Sequence, residues 1–193
     1  MNKKQKQAVI QKAASGAKEY ERTCTGCAQS AVAGLLDAFS MENDDVFRAA
    51  SGLADGIGLS GDGSCGALIG SSMVIGLIFG RGSQDHRNVL VPMKSYRLSK
   101  KVYKDFIQKY GSCRCHDIQT RLMGRTFNLM DPQGLEEAMQ AGMIDHCAEV
   151  VGAAAGKAAE IILKEQSAFR LADSPVRITG RVAGAIFRKW GQA

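Results

Sequence analysis

Apolar positions recur along this chain at the three- and four-residue spacing of helices that face a core, and they nowhere alternate as strands do. A polar, Lys- and Gln-rich stretch over residues 3–22 is interrupted by Ser15-Gly16. Thr23 is then placed to cap a helix running to about Ser40, with Ala28, Val32, Leu35 and Phe39 on one side. Asn43 caps a helix through Val46, Phe47, Ala50 and Leu53, which Gly56 ends. Ser99 caps another that carries Val102, Phe106 and Tyr110 and stops at Gly111, and a short helix follows through Ile118 and Leu122. Asp131-Pro132 starts the next, with a carboxylate at the cap and proline at the first helical position; Gly142 ends or bends it. From Met143 to about Glu165 runs the longest apolar-faced helix, whose Gly152, Ala153, Ala155 and Gly156 permit close packing. Ser174-Pro175 opens a last helix, basic on one side and apolar through Val182, Ile186 and Trp190 on the other.

The remaining stretch, residues 56–82, organises the others. A glycine-rich run from Gly56 to Ser64 leads into Cys65-Gly66-Ala67, and no residue from there to Arg81 is charged. Asp62 or Ser64 is placed to cap a helix whose first turn holds Cys65, where free backbone N–H groups and the helix dipole favour a thiolate. Apolar on all sides, that helix belongs inside a bundle. Interrupting Gly and Ser residues and the lack of an aromatic belt argue for burial in protein rather than a membrane span. G-x-G-x-x-G occurs twice, at Gly56/Gly58/Gly61 and Gly61/Gly63/Gly66, but a helix precedes it where the dinucleotide fingerprint needs a strand.

The fold class is therefore all-α, a multi-helix bundle with a buried central glycine-rich helix. A chain of 193 residues suits one domain: a polar N-terminal arm or helix (1–22), a cysteine-bearing core (24–165) and a basic amphipathic C-terminal helix (174–193). The net charge of +6 sits at the two ends and leaves a slightly acidic body, with 16 basic against 18 acidic residues. Without a basic stripe interleaved with aromatics, nucleic acid is not expected as a partner. No apolar signal region follows Lys3, Lys4 and Lys6, which points to the cytoplasm. Reducing surroundings turn the six cysteines from a disulfide framework toward metal binding or redox chemistry.

Two groupings of those cysteines stand open. Cys27, Cys65, Cys115 and Cys147 lie on separate elements, so the helices must converge for them to meet. Four thiolates in a dry core then demand a positive centre such as an iron–sulfur cluster. Alternatively Cys24-x-x-Cys27 and Cys113-x-Cys115 form two knuckles of a structural zinc site. A metal-free thiol–disulfide protein is the third reading. His116 and His146 each adjoin a cysteine, but helix neighbours point about 100° apart, so a surface or core role is expected of both. No Ser/His/Asp order, paired-carboxylate stripe or phosphate loop is present to support a hydrolase or kinase.

Gly26-Cys27-Ala28-Gln29-Ser30, then Cys65-Gly66-Ala67-Leu68-Ile69-Gly70, then Cys115 and Cys147, resemble the redox-active proteins called C_GCAxxG_C_C, over roughly residues 24–155. By that resemblance Cys27, Cys65, Cys115 and Cys147 are the family's four cysteines and the ligands of an iron–sulfur cluster. The family is similar in turn to the cysteine-rich part of split-Soret cytochromes, whose haem attachment this chain lacks. Cys24 and Cys113 are extra, and are further ligand candidates. Gly26 stands where Asn is expected, and Leu53-Ala54-Asp55 where more glycine is expected. The resulting expectation is electron transfer or redox sensing with a partner protein, docked on the basic C-terminal helix; a homo-oligomer and an enzymatic role on a small substrate stay open.

Overall fold

A computed structural model describes residues 1–171, and these form eight packed helices and no strand. They are α1 (Lys3–Cys24), α2 (Cys27–Ala38), α3 (Asp44–Ala49), α4 (Gly66–Phe79), α5 (Met93–Tyr110), α6 (Cys115–Met123), α7 (Pro132–Gln140) and α8 (Met143–Leu171). The core is shared by α1, α2, α4, α5 and α8, and its fully enclosed side chains include Leu35, Phe39, Ile75, Leu98, Val151 and Ile162. Small residues set how closely the helices cross. A Cβ on Gly34 would come within 2.5 Å of the Ala17 amide nitrogen, so α2 lies directly on the backbone of α1. The Lys18–Glu149 and Arg22–Asp145 pairs between α1 and α8 are partly or well exposed, and pairs of that kind contribute at most about 1 kcal/mol each.

Several boundaries differ from those expected. Of the arm or helix expected over residues 1–22 the structure shows the helix, uninterrupted to Cys24, packed on α2 and α8 and burying Ala13, Ala17 and Glu21. Ser15-Gly16 does not break it, because Gly16 is a crossing point; a Cβ there would lie 3.7 Å from the Gly34 Cα. Thr23 does not cap α2. It lies in the last turn of α1, its hydroxyl donating back to the Glu19 carbonyl at 2.8 Å instead of accepting from an amide of α2. The Asn43 helix is capped as expected, by a bond from the Val46 amide, but is short and continues as a 3₁₀ turn over Ser51–Leu53. α5 starts at Met93, well before Ser99, and ends as expected at a left-handed Gly111. Asp131 caps α7, accepting from the Gly134 amide at 2.9 Å.

The helix expected to be enclosed on every side, α4, is buried at Gly66, Ala67, Leu68, Gly70, Ser71, Val74 and Ile75. It is only half-buried from Gly76 to Phe79, so its enclosure is partial. Its last turns reach the edge of the bundle, where Lys94 sits 4.8 Å over the Phe79 ring. Among the described residues no helix is long and apolar enough to cross a membrane. The basic helix expected from Ser174 lies outside the described residues.

Candidate functional site

Cys65 and Cys115 are brought together by backbone rather than by side chains. The glycine-rich loop and the segment before α6 exchange hydrogen bonds in both directions: Cys65 N–H donates to the Cys113 carbonyl at 2.7 Å, and Cys115 N–H to the Gly63 carbonyl at 3.0 Å. His116 N–H donates to Gly61 at 2.9 Å, and the Arg114–Asp62 ion pair closes the outside. This single antiparallel bridge, Ser64 to Arg114, fixes the two cysteines side by side at the starts of two helices. Cys65 is itself the residue before α4, not part of its first turn, and neither Asp62 nor Ser64 caps the helix.

Cys27 joins them because α4 crosses α2 on glycine. A Cβ on Gly66 would fall 2.4 Å from the Cys27 sulfur, and one on Gly70 would fall 2.3 Å from the Ala28 carbonyl oxygen. The glycines of Cys65-Gly66-Ala67-Leu68-Ile69-Gly70 are thus the surface that seats one cysteine against the next. Gly26, in place of the expected Asn, has φ +86°, the left-handed region that Gly and Asn tolerate best, so the backbone demand is the same for either. Cys147, one turn into α8 beyond Met143, completes the group. Cys27, Cys65, Cys115 and Cys147 all line one cavity of about 280 Å³. Cys24 is exposed, Cys113 is half-buried, and neither lines that cavity.

Three polar residues that the sequence reading did not single out share the wall: Asp55, Glu21 and Gln119. Asp55 begins a run of five left-handed residues, Asp55 to Leu59, in which Asp55, Ile57 and Leu59 are not glycine (φ +43°, +72° and +62°). Such backbone costs roughly 1–2 kcal/mol per non-glycine residue. The loop is held in it by its own bonds, among them Gly58 N–H to Gly52, Gly61 N–H to Asp55 and Gly63 N–H to Gly56. The strain aims Asp55 at the sulfurs. The Cys115 thiol donates to Asp55 Oδ1 at 2.9 Å and Gln119 Nε2 donates to the same oxygen at 2.6 Å, while the Asp55 amide interacts with Cys27. Asp55 Oδ2, Glu21 Oε2 and Gln119 Oε1 are buried without a partner.

The family described as "Putative redox-active protein (C_GCAxxG_C_C)" matches residues 25–161, well over half of the chain. The chain belongs to this family. No curated protein and no solved structure matches it. In this C_GCAxxG_C_C chain Cys27, Cys65, Cys115 and Cys147, the four that the resemblance singles out, line one cavity. Asp55, in the Leu53-Ala54-Asp55 stretch where more glycine is expected, hydrogen-bonds Cys115.

The electrostatics of the C_GCAxxG_C_C site run against the thiolate expected at Cys65. Cys115 beside it and its own burial push the Cys65 thiol well up, overriding the pull of Cys27 and of the Ala67 amide. Cys65 and burial likewise push Cys27 well up. Cys115 is drawn down by Cys65 but raised on balance by burial and Asp55, and burial raises Cys147. All four shifts run toward the neutral thiol, with burial raising each and no Lys, Arg or His on the cavity wall to oppose it. Among the described residues no three His, Cys, Asp or Glu side chains are gathered tightly enough to hold a single ion. Four cysteines from separate elements suit a cluster, which spreads its sulfur ligands over several irons.

Burial also raises the Glu21 carboxyl, with Ser30 opposing. A carboxyl whose folded pKa exceeds its unfolded value is protonated more readily in the fold. It therefore lowers stability as pH rises from the ordinary carboxylate range through the folded pKa, and above that the penalty is complete. Glu21→Gln in metal-free protein raises the melting temperature at pH 7, and the gain shrinks as pH falls into the ordinary carboxylate range. A gain of the same size at every pH would assign the effect to packing.

Proposed function

We propose that this chain is a redox protein that holds an iron–sulfur cluster on Cys27, Cys65, Cys115 and Cys147 and serves one-electron transfer or redox sensing. The observation that carries the reading is the meeting of four thiols, from α2, the residue before α4, α6 and α8, at one cavity whose wall carries no cationic side chain. Four thiols can lose their protons together there only against a positive centre, and soft sulfur donors suit iron in a cluster. A cluster bound there supplies a reversible one-electron carrier. The chain's own residues would fix its orientation through the Cys65–Cys115 backbone bridge, and Gln119 Nε2 would donate to the Cys115 sulfur. A redox partner protein, a cytoplasmic setting and no role for nucleic acid go with this reading.

A second reading is favoured by one specific contact: Cys65 stands within hydrogen-bond reach of both Cys27 and Cys115, with Asp55 beside Cys115 to accept a proton. A disulfide from Cys65 to either neighbour would release two electrons and two protons. Anaerobic purification followed by a visible spectrum and assays of iron, acid-labile sulfide and zinc separates these readings. The expected result is brown protein containing iron and sulfide and bleached by dithionite. Colourless, metal-free protein whose thiol count changes reversibly by two would overturn the cluster in favour of thiol–disulfide chemistry. Colourless protein with one zinc would point to Cys24, Cys27, Cys113 and Cys115.

A further inference from the structure

The cavity continues past the sulfurs into an apolar chamber. Leu122, Leu129, Leu135, Met139 and Ile144 wall it, contributed by the end of α6, the following loop, α7 and the start of α8. Leu135 and Met139, one helical turn apart on α7, line the cavity and are still 41% and 46% exposed, so it reaches the surface between them. Its volume of about 280 Å³ is close to the lower end of the range that small organic ligands occupy. The charged side chains on its wall, Glu21 and Asp55, are both acidic and both more than nine-tenths buried. The oxygens without a partner on Asp55, Glu21 and Gln119 belong to that wall. An acceptor buried without a donor is costly to the fold, and a ligand that brings a donor recovers the cost.

We propose that the cavity binds a small organic cation with an apolar body, an alkylamine being the simplest case. The ammonium group faces Asp55 and Glu21, and the hydrocarbon lies against the α7 wall. Size, an apolar lining, an opening at α7 and a single sign of buried charge all select for such a molecule. An organic phosphate or carboxylate would meet two buried carboxylates and no counter-charge. The inference goes beyond the redox reading, because it is argued from the apolar wall and the carboxylates of the cavity and not from what the sulfurs carry. It gives the redox site a small molecule within reach of the sulfurs.

Isothermal titration calorimetry tests this on the full chain purified anaerobically, with iron and sulfide measured in the same sample. The probes are hexylamine, hexanol and hexanoate. Hexylamine binds, hexanol binds about tenfold or more weakly, and hexanoate does not bind detectably. Asp55→Asn removes most of the preference for hexylamine over hexanol. Met139→Trp, which adds bulk at an exposed position on the opening, weakens hexylamine by about tenfold or more and keeps the test decisive if Asp55→Asn does not fold. Equal binding of hexylamine and hexanoate, binding of none of the three, or unchanged affinity in Met139→Trp overturns the proposal. Iron and sulfide without amine binding sinks this inference and leaves the cluster standing; amine binding to iron-free protein does the reverse.

Discussion

On the proposed cluster, Cys65→Ser is expected to strip iron and sulfide from the protein and remove its visible absorption, whereas Cys24→Ser is expected to leave both nearly intact. The contrast follows from where the two sulfurs are. Cys65 is buried at the junction of the site, within reach of Cys27 on one side and Cys115 on the other, and its amide is half of the bridge that aligns α4 with α6. A serine hydroxyl in that position is a harder and far less acidic donor than a thiol, and soft iron in a cluster binds it poorly. Removing a mere hydrogen-bond partner of a metal ligand commonly costs about 10–100-fold in affinity, and losing the ligand itself costs more. Cys24 lies exposed at the end of α1, with its sulfur 3.5 Å from the Thr23 hydroxyl and outside the cavity wall. Metal analysis of the two variants, prepared anaerobically in parallel, reads the difference. Equal loss from both would show that the quartet has been chosen wrongly.

The same quartet shows what a single sequence reveals and what it hides. Periodicity located segments such as α2, α5 and α8, since each buries an apolar face. Fixed spacings such as Cys65-Gly66-Ala67-x-x-Gly70 carry their meaning locally, because Gly66 and Gly70 meet α2 over a single crossing. Boundaries set by tertiary contact were not legible. Gly16 looks like a helix breaker until Gly34 is found against it, and Thr23 looks like a cap until its hydroxyl is seen bonded backward to Glu19. Asp55, Glu21 and Gln119 escaped for a related reason. Asp55 reaches Cys115 across 60 residues of chain, and no period or spacing records a contact of that range. The available signal was Asp55 itself, an acid standing where glycine was expected; only its left-handed backbone and sealed surroundings turn that departure into chemistry. The thiolate expected of Cys65 failed because the pull of the Ala67 amide and of Cys27 is outweighed by the neighbouring Cys115 thiol and by burial, which no local sequence signal records.

Gly70→Ala destabilises the protein, while Gly76→Ala, six residues later in the same helix, makes it more stable. Intrinsic helix propensity predicts the same sign for both, a gain of about 0.5–1 kcal/mol on replacing glycine in a helix interior. The surroundings divide them. At Gly76 an added Cβ meets nothing within 4 Å, so the gain is kept. At Gly70 it would lie 2.3 Å from the Ala28 carbonyl oxygen and 3.0 Å from its carbon, both backbone atoms of α2 that cannot swing aside as a side chain can. Relief requires α4 to move bodily off α2, and overpacking of this kind costs about 1–3 kcal/mol or more. Denaturant midpoints for the two variants therefore shift in opposite directions, and midpoints that moved together would mean that α4 does not cross α2 this closely. The displacement also has a chemical consequence, because Gly66, one turn earlier, seats Cys27 against Cys65. Lifting α4 parts the first two sulfurs of the site, so Gly70→Ala loses iron along with stability, although residue 70 touches no sulfur itself. In this chain the glycines of the motif act on the redox site through distance, by letting two helices approach until their cysteines share one cavity.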